Sequence, residues 1–65
     1  MCEANAYLIG DGSESLVMES VDLVEPEGDG LKLVNIFGEQ KFLKATVVHA
    51  LSLVDHKIFL KALDA

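Results

Sequence analysis

Cys2 and the backbone of Met1 are the groups in this sequence best suited to bind a metal ion. The chain opens with MCEANAYL, and residue 2 is its single cysteine. If Met1 is removed, the α-amine and the thiolate of Cys2 close a five-membered chelate ring. If Met1 is retained, its amine, the Cys2 amide nitrogen and the Cys2 sulfur occupy three corners of a plane. Ni(II) favours planar nitrogen and sulfur donors, so this end is a candidate nickel site, and the alternative is a reduced thiol with no ligand role.

Two chains that meet at a twofold axis could complete such a site from identical halves. The chain length also favours a second copy. A domain of 65 residues buries too little surface for a robust core and usually depends on disulfides, a structural metal or oligomerisation. One cysteine excludes an internal disulfide, and one cysteine with two histidines falls short of a tetrahedral zinc site in a single chain. We therefore expect one domain, residues 1–65, that forms a homodimer.

The two histidines are the other candidate nitrogen ligands. His49 lies between Val47 and Leu51 in a segment that reads as a strand, which favours a half-buried imidazole satisfied by the backbone over a metal ligand. His56 lies in a turn after Asp55. It would add an axial donor only if the fold brings it to the N-terminus.

No other residue pattern indicates catalysis. The eleven acidic residues are spread from Glu3 to Asp64 and read as a solvated surface. The serines have no adjacent base and orienting group, so no hydrolytic triad is predicted. The two Gly-Asp-Gly stretches have neither calcium-loop nor phosphate-loop spacing. We do not predict an enzyme.

The charge balance restricts the partners. Eleven acidic residues against five lysines give a formal charge of −6, which argues against nucleic acid and anionic membranes. Uninterrupted apolar runs are far shorter than a membrane span. A lone thiol suits a reducing compartment, so a cytoplasmic location is expected.

The hydrophobic pattern predicts an all-β fold. Short runs of apolar and β-branched residues alternate with turn signals about every ten residues, which is typical of a small antiparallel β-barrel with six or seven short strands. Tight turns are expected at Asp11-Gly12 and at Asp29-Gly30, and Pro26 should mark a strand end or an edge. The predicted strands include Ala4 to Ile9, Leu31 to Phe37, Thr46 to Val54 and Lys57 to Leu63.

The second half of the chain leaves an alternative open. Residues 40–65 contain neither glycine nor proline, and Phe59, Leu60 and Leu63 have helical spacing. The β-branched residues at 46–48 favour a strand there. For the last segment, strand and helix both remain possible.

Four stretches together resemble the CooT family of small nickel-binding proteins, which are sometimes labelled predicted RNA-binding proteins. These are MCEANAYL, ESVDLVEPEGD, IFGEQK and LVDHKIFL, and the similarity covers nearly the whole chain. HypC-type hydrogenase-maturation chaperones also begin Met-Cys on a small barrel, but they carry a glycine-proline segment after the cysteine that is missing here.

The resemblance implies a homodimer of small β-barrels that binds Ni(II) at the dimer interface through Cys2, together with the Met1 backbone, for maturation of carbon monoxide dehydrogenase. Another nickel enzyme could be the client. Two alternatives stay open: an RNA-binding barrel, and an interaction module that docks on a metalloenzyme without binding metal.

Overall fold

The computed structural model describes residues 4–10 and 12–63, and these residues form six β-strands in one sheet. The strands are β1 (Ala4–Gly10), β2 (Ser13–Glu27), β3 (Gly30–Asn35), β4 (Gln40–Leu43), β5 (Thr46–Ser52) and β6 (Lys57–Ala62). The all-β class and the number of strands predicted from the sequence are confirmed. A homodimer stays a prediction.

The sheet is a curled half-barrel with the strand order β4-β3-β2-β1-β6-β5. Four of its pairings are antiparallel, as predicted, whereas β1 and β6 run parallel. Parallel neighbours need a long connection, and here the connection contains the other four strands. The first and last strands of the chain therefore lie side by side in the middle of the sheet.

The length of β2 explains the curl. Its first part pairs with β1 as far as Val21, and its second part pairs with β3 from Val21 onward. Between Ala4 and Tyr7 the register with β1 shifts, and Ser20 has a φ of 56°. Irregularities of this kind bend a strand and increase its twist. Here, the Ser20 backbone is held by its neighbours, since its N–H donates to Oδ1 of Asn5 at 3.2 Å and its carbonyl accepts from Ile36 N–H at 2.9 Å.

The turn between β2 and β3 differs from the predicted Asp29-Gly30 turn. Its two central residues are Gly28 and Asp29, and Gly28 has a φ of 60°. A glycine at the first central position matches a type II′ hairpin. Gly30 instead belongs to β3, where it pairs with Glu27. Pro26 lies one residue before the end of β2 and beyond the last pair with β1, as predicted for a strand end.

The hydrophobic core lies on the concave face of the sheet. Leu33 and Leu60 are its largest fully buried side chains. The alternation predicted for β3 is confirmed, because Leu31, Leu33 and Asn35 are buried while the residues between them are not. The other buried apolar residues are Ala6, Met18, Val21 and Ile58.

The open question about the second half is resolved in favour of strands. Residues 40–43, 46–52 and 57–62 are all extended, and Ile58 and Leu60 alternate with less buried neighbours as a strand requires. None of the described residues belongs to a helix that is long and apolar enough to cross a membrane.

Candidate functional site

The start of β1 meets the turn between β5 and β6. The N–H of Asn5 donates to the backbone carbonyl of His56 at 3.0 Å, and Asn5 is in register with Lys57 in the parallel pair. The fold thus brings His56 to the start of β1, while residues 1–3, which the hypothesis about His56 concerns, lie outside the described part of the chain. The turn that carries this histidine is hydrogen-bonded to the second described residue of the chain.

His56 has a φ of 56°, which is the left-handed region that only a minority of non-glycine residues adopt. The turn itself is closed locally, because Oγ of Ser52 donates to Oδ2 of Asp55 at 3.3 Å. The His56 side chain is exposed to solvent, so its ring nitrogens are accessible to a ligand.

A largely apolar pocket of about 320 Å³ lies at this end of the sheet. Leu51, Leu53 and Ile58 supply its apolar wall, and His56 is a lining residue whose side chain is of a type that can bind a metal. The ammonium of Lys57 has no lone pair to give a metal, and it lies 5.7 Å from the centre of the Tyr7 ring. The remaining lining residues are Ala4 and Ser52.

The predicted metal ligands, Met1 and Cys2, lie outside the described residues. Ala4, the first described residue, lines the pocket.

His49 differs from its prediction. It was expected to be half-buried, but it is exposed. The reason is a register shift between Val48 and Ala50, which leaves His49 as the extra residue of a bulge without a partner in β6. His49 lies opposite the middle of β6 and His56 directly before its first residue, so only His56 is near the start of β1.

A complete metal site is not formed by the described residues of one chain. Within residues 4–10 and 12–63, no group of three or more histidine, cysteine or carboxylate side chains is placed to hold an ion. Among the described residues that line the pocket, His56 is the one with a side chain of a metal-ligating type.

The sequence reasoning missed the pocket residues Leu51 and Leu53. Both are strongly exposed, at 59% and 79%, and Val54 beside them is 90% exposed. The sequence does contain a signal for them. Three of the four residues in LSLV (51–54) are apolar immediately before a turn, where an exposed segment without a binding partner is usually polar.

The curled sheet with this pocket defines a small all-β domain whose candidate site lies where its first strand begins. The family profile of "CO dehydrogenase accessory protein CooT" matches residues 1–61. The chain belongs to the CooT family of CO dehydrogenase accessory proteins.

Two relatives agree with this assignment. A crystal structure assigned to CooT from Carboxydothermus hydrogenoformans superposes with a TM-score of 0.88 at 41% sequence identity, covering 97% of this chain and 100% of the other. An uncharacterized protein of Methanocaldococcus jannaschii is 34% identical over 61 residues, which is 94% of this chain and 98% of that protein. The resemblance drawn from the sequence is confirmed.

Proposed function

We propose that this chain binds Ni(II) through Cys2 and the backbone of Met1, at an interface between two copies, and supplies the ion to CO dehydrogenase. The choice of CO dehydrogenase as the enzyme that receives the ion is supported by the description of the family as its accessory proteins. The choice of nickel is supported by the chemistry of the donors, because an amine or amide nitrogen next to a thiolate suits the planar coordination of Ni(II).

The hydrogen bond between Asn5 and His56 is the observation that carries this proposal most directly. It fixes the start of β1 against a turn with an accessible imidazole. A nickel ion bound within one or two residues of Ala4 would thus have a nitrogen donor and an apolar pocket nearby. The apolar wall would limit access of water, which competes for coordination positions.

A second copy supplies what one chain lacks. Leu51, Leu53 and Val54 expose apolar surface at the same end as the pocket, and β5 is an edge strand, so this region is suited to be covered by a protein partner. A twofold axis there would bring both leading ends together. We further propose a cytoplasmic location, where the thiol stays reduced.

Titration with Ni(II), followed by absorption spectroscopy, tests the proposal. A thiolate bound to nickel gives a charge-transfer band, which should grow with added metal in the wild type and be missing in Cys2→Ser. His49→Gln is the matched control, because it removes an exposed donor far from the start of β1 and should leave the band unchanged. A band of equal strength in Cys2→Ser would refute thiolate coordination.

The same titration at several pH values adds a second test. The thiol and the amine must lose their protons before they bind metal, so apparent nickel affinity should fall as the pH is lowered below neutrality. Mass spectrometry of the sample establishes whether Met1 is present, and hence which of the two donor sets is in use. An affinity that does not change with pH would contradict both sets.

A further inference from the structure

A second surface with a built structure lies at the loop between β3 and β4. Asn35 at its base is only 6% exposed. Its Oδ1 accepts hydrogen bonds from the N–H groups of Phe37 at 3.0 Å and Glu39 at 2.9 Å. Its Nδ2 donates to Oε1 of Glu39 at 2.7 Å. One buried side chain thus holds the whole loop.

The backbone closes the same loop from the other side. Asn35 N–H donates to the Glu39 carbonyl at 3.0 Å, and Gly38 N–H donates to the Asn35 carbonyl at 3.0 Å. With two backbone and three side-chain hydrogen bonds in five residues, the loop has one defined conformation. Such a loop can present a side chain to a partner at little entropic cost.

The side chain that this loop presents is Phe37, which is 75% exposed. Further apolar residues lie on the convex face of the adjacent strands. Leu23 is in register with Val34, and Phe42 with Lys32, which are the residues of β3 that point away from the core. We call this surface the Phe37 face, and its exposed apolar members are Leu23, Ile36, Phe37 and Phe42.

The stretch of chain that contains the four members of the Phe37 face is acidic overall. Residues 11–44 carry eight acidic side chains and three lysines. Of these lysines, Lys32 is paired with Glu25 at 3.3 Å and Glu27 at 3.7 Å, and the other two lie on either side of Phe42 in the sequence. The surface therefore combines an apolar centre with a rim of net negative charge, and a polar rim around an apolar centre is the usual anatomy of a protein interface.

We propose that the Phe37 face docks a protein surface with apolar side chains surrounded by lysine and arginine, and that this surface belongs to CO dehydrogenase. The proposal rests on the accessory role of the family and does not require nickel binding. Negative charge disfavours nucleic acid and anionic lipid. A second copy is also disfavoured, because a twofold contact on this face would oppose two acidic rims.

The Phe37 face and the pocket use different strands but adjoin at the start of β1. The face is formed by β2, β3 and β4, while the pocket is formed by β1, β5 and β6. Ile36 N–H donates to the Ser20 carbonyl at 2.9 Å, and Ser20 N–H donates to Oδ1 of Asn5 at 3.2 Å. A partner docked on the Phe37 face would therefore lie beside the strand end at which the metal site is proposed.

Binding to purified CO dehydrogenase of the same organism, measured by surface plasmon resonance, tests the docking surface. The double variant Phe37→Ser, Phe42→Ser should bind roughly 30-fold more weakly, as expected when aromatic anchors are lost. The matched control Leu16→Ser, Leu63→Ser removes apolar side chains of similar exposure elsewhere and should stay within about 2-fold of the wild type. Urea unfolding of each variant verifies that it is folded.

Two further measurements make the outcome decisive. Raising NaCl from 50 to 500 mM (about 14 to 4 Å in Debye length) should slow association with the wild type. Cys2→Ser without metal should bind as the wild type does, which separates this proposal from the nickel site. The proposal is overturned if the wild type does not bind CO dehydrogenase, or if the Phe37→Ser, Phe42→Ser variant binds as tightly as the wild type. It is also overturned if added salt does not slow association, if Cys2→Ser without metal binds more weakly than the wild type, or if the Phe37→Ser, Phe42→Ser variant instead has a changed oligomeric state.

Discussion

At the scale of single residues, the two histidines illustrate what spacing can and cannot predict. The sequence places His56 in a turn, and this prediction is confirmed. Its proximity to the start of β1 depends on the parallel pairing of the first and last strands, which no local pattern contains. His49 was misjudged because a bulge, rather than regular alternation, determines its orientation.

The histidines provide a matched pair of variants. We expect His56→Gln to weaken Ni(II) binding by at least about 10-fold, the lower end of the effect of losing a partner of a metal site. His49→Gln should leave the affinity unchanged. Isothermal titration calorimetry of both variants measures the difference, and equal affinities would exclude His56 from the site.

Asn35 is the second residue with a specific expected effect. Asn35→Ala removes the acceptor of two loop N–H groups and should lower the free energy of unfolding by about 1–3 kcal/mol. Amide exchange at Phe37 and Glu39 should become faster, since both groups lose their partner.

A control for Asn35→Ala is Gln40→Ala, which changes an exposed side chain at the start of β4 and should alter stability by less than about 0.5 kcal/mol. Urea denaturation compares the two variants. If Asn35→Ala is as stable as Gln40→Ala, the loop is not held by this side chain.

At the scale of elements, strands were predictable and their connections less so. The alternation of Leu31, Leu33 and Asn35 correctly assigned the buried face of β3. The turn before it was predicted one residue too late, because both Gly28 and Gly30 flank Asp29 and the dipeptide rule alone chose the wrong glycine. The choice is made by tertiary structure, since Gly30 lies against the backbone of Leu43 and Lys44.

This close approach predicts a large effect of a small substitution. A Cβ at residue 30 would overlap the carbonyl oxygen of Leu43, so Gly30→Ala should destabilise the fold by at least about 1–3 kcal/mol, as overpacking does. Gly10→Ala is the control, because it has open space around it. Thermal unfolding of both variants is the measurement, and similar midpoints would show that β3 and β4 are less tightly packed than described.

At the scale of the whole molecule, the sequence pattern predicted the all-β fold class but not the order and direction of the strands in the sheet. Short β-branched runs with frequent turns were sufficient for an all-β fold, and the residues quoted from MCEANAYL to LVDHKIFL were sufficient for the family. The parallel contact between β1 and β6 and the curl at Ser20 result from long-range packing, which periodicity does not encode. The acidic residues were described as spread along the chain, and within that spread residues 11–40 carry eight of the eleven.

The two proposed surfaces use different strands of one sheet. The pocket lies with β1, β5 and β6, and the Phe37 face lies with β2, β3 and β4. Under the proposed function, the end of the sheet with the pocket would hold the ion, and the Phe37 face would contact the enzyme that receives it.

Native mass spectrometry of the chain with added Ni(II) tests the central claim most directly, because it reports the oligomer and its metal content together. We expect a complex of two chains with one Ni(II) ion in the wild type, and no bound nickel in Cys2→Ser. A single chain that retains nickel after the loss of Cys2 would contradict it.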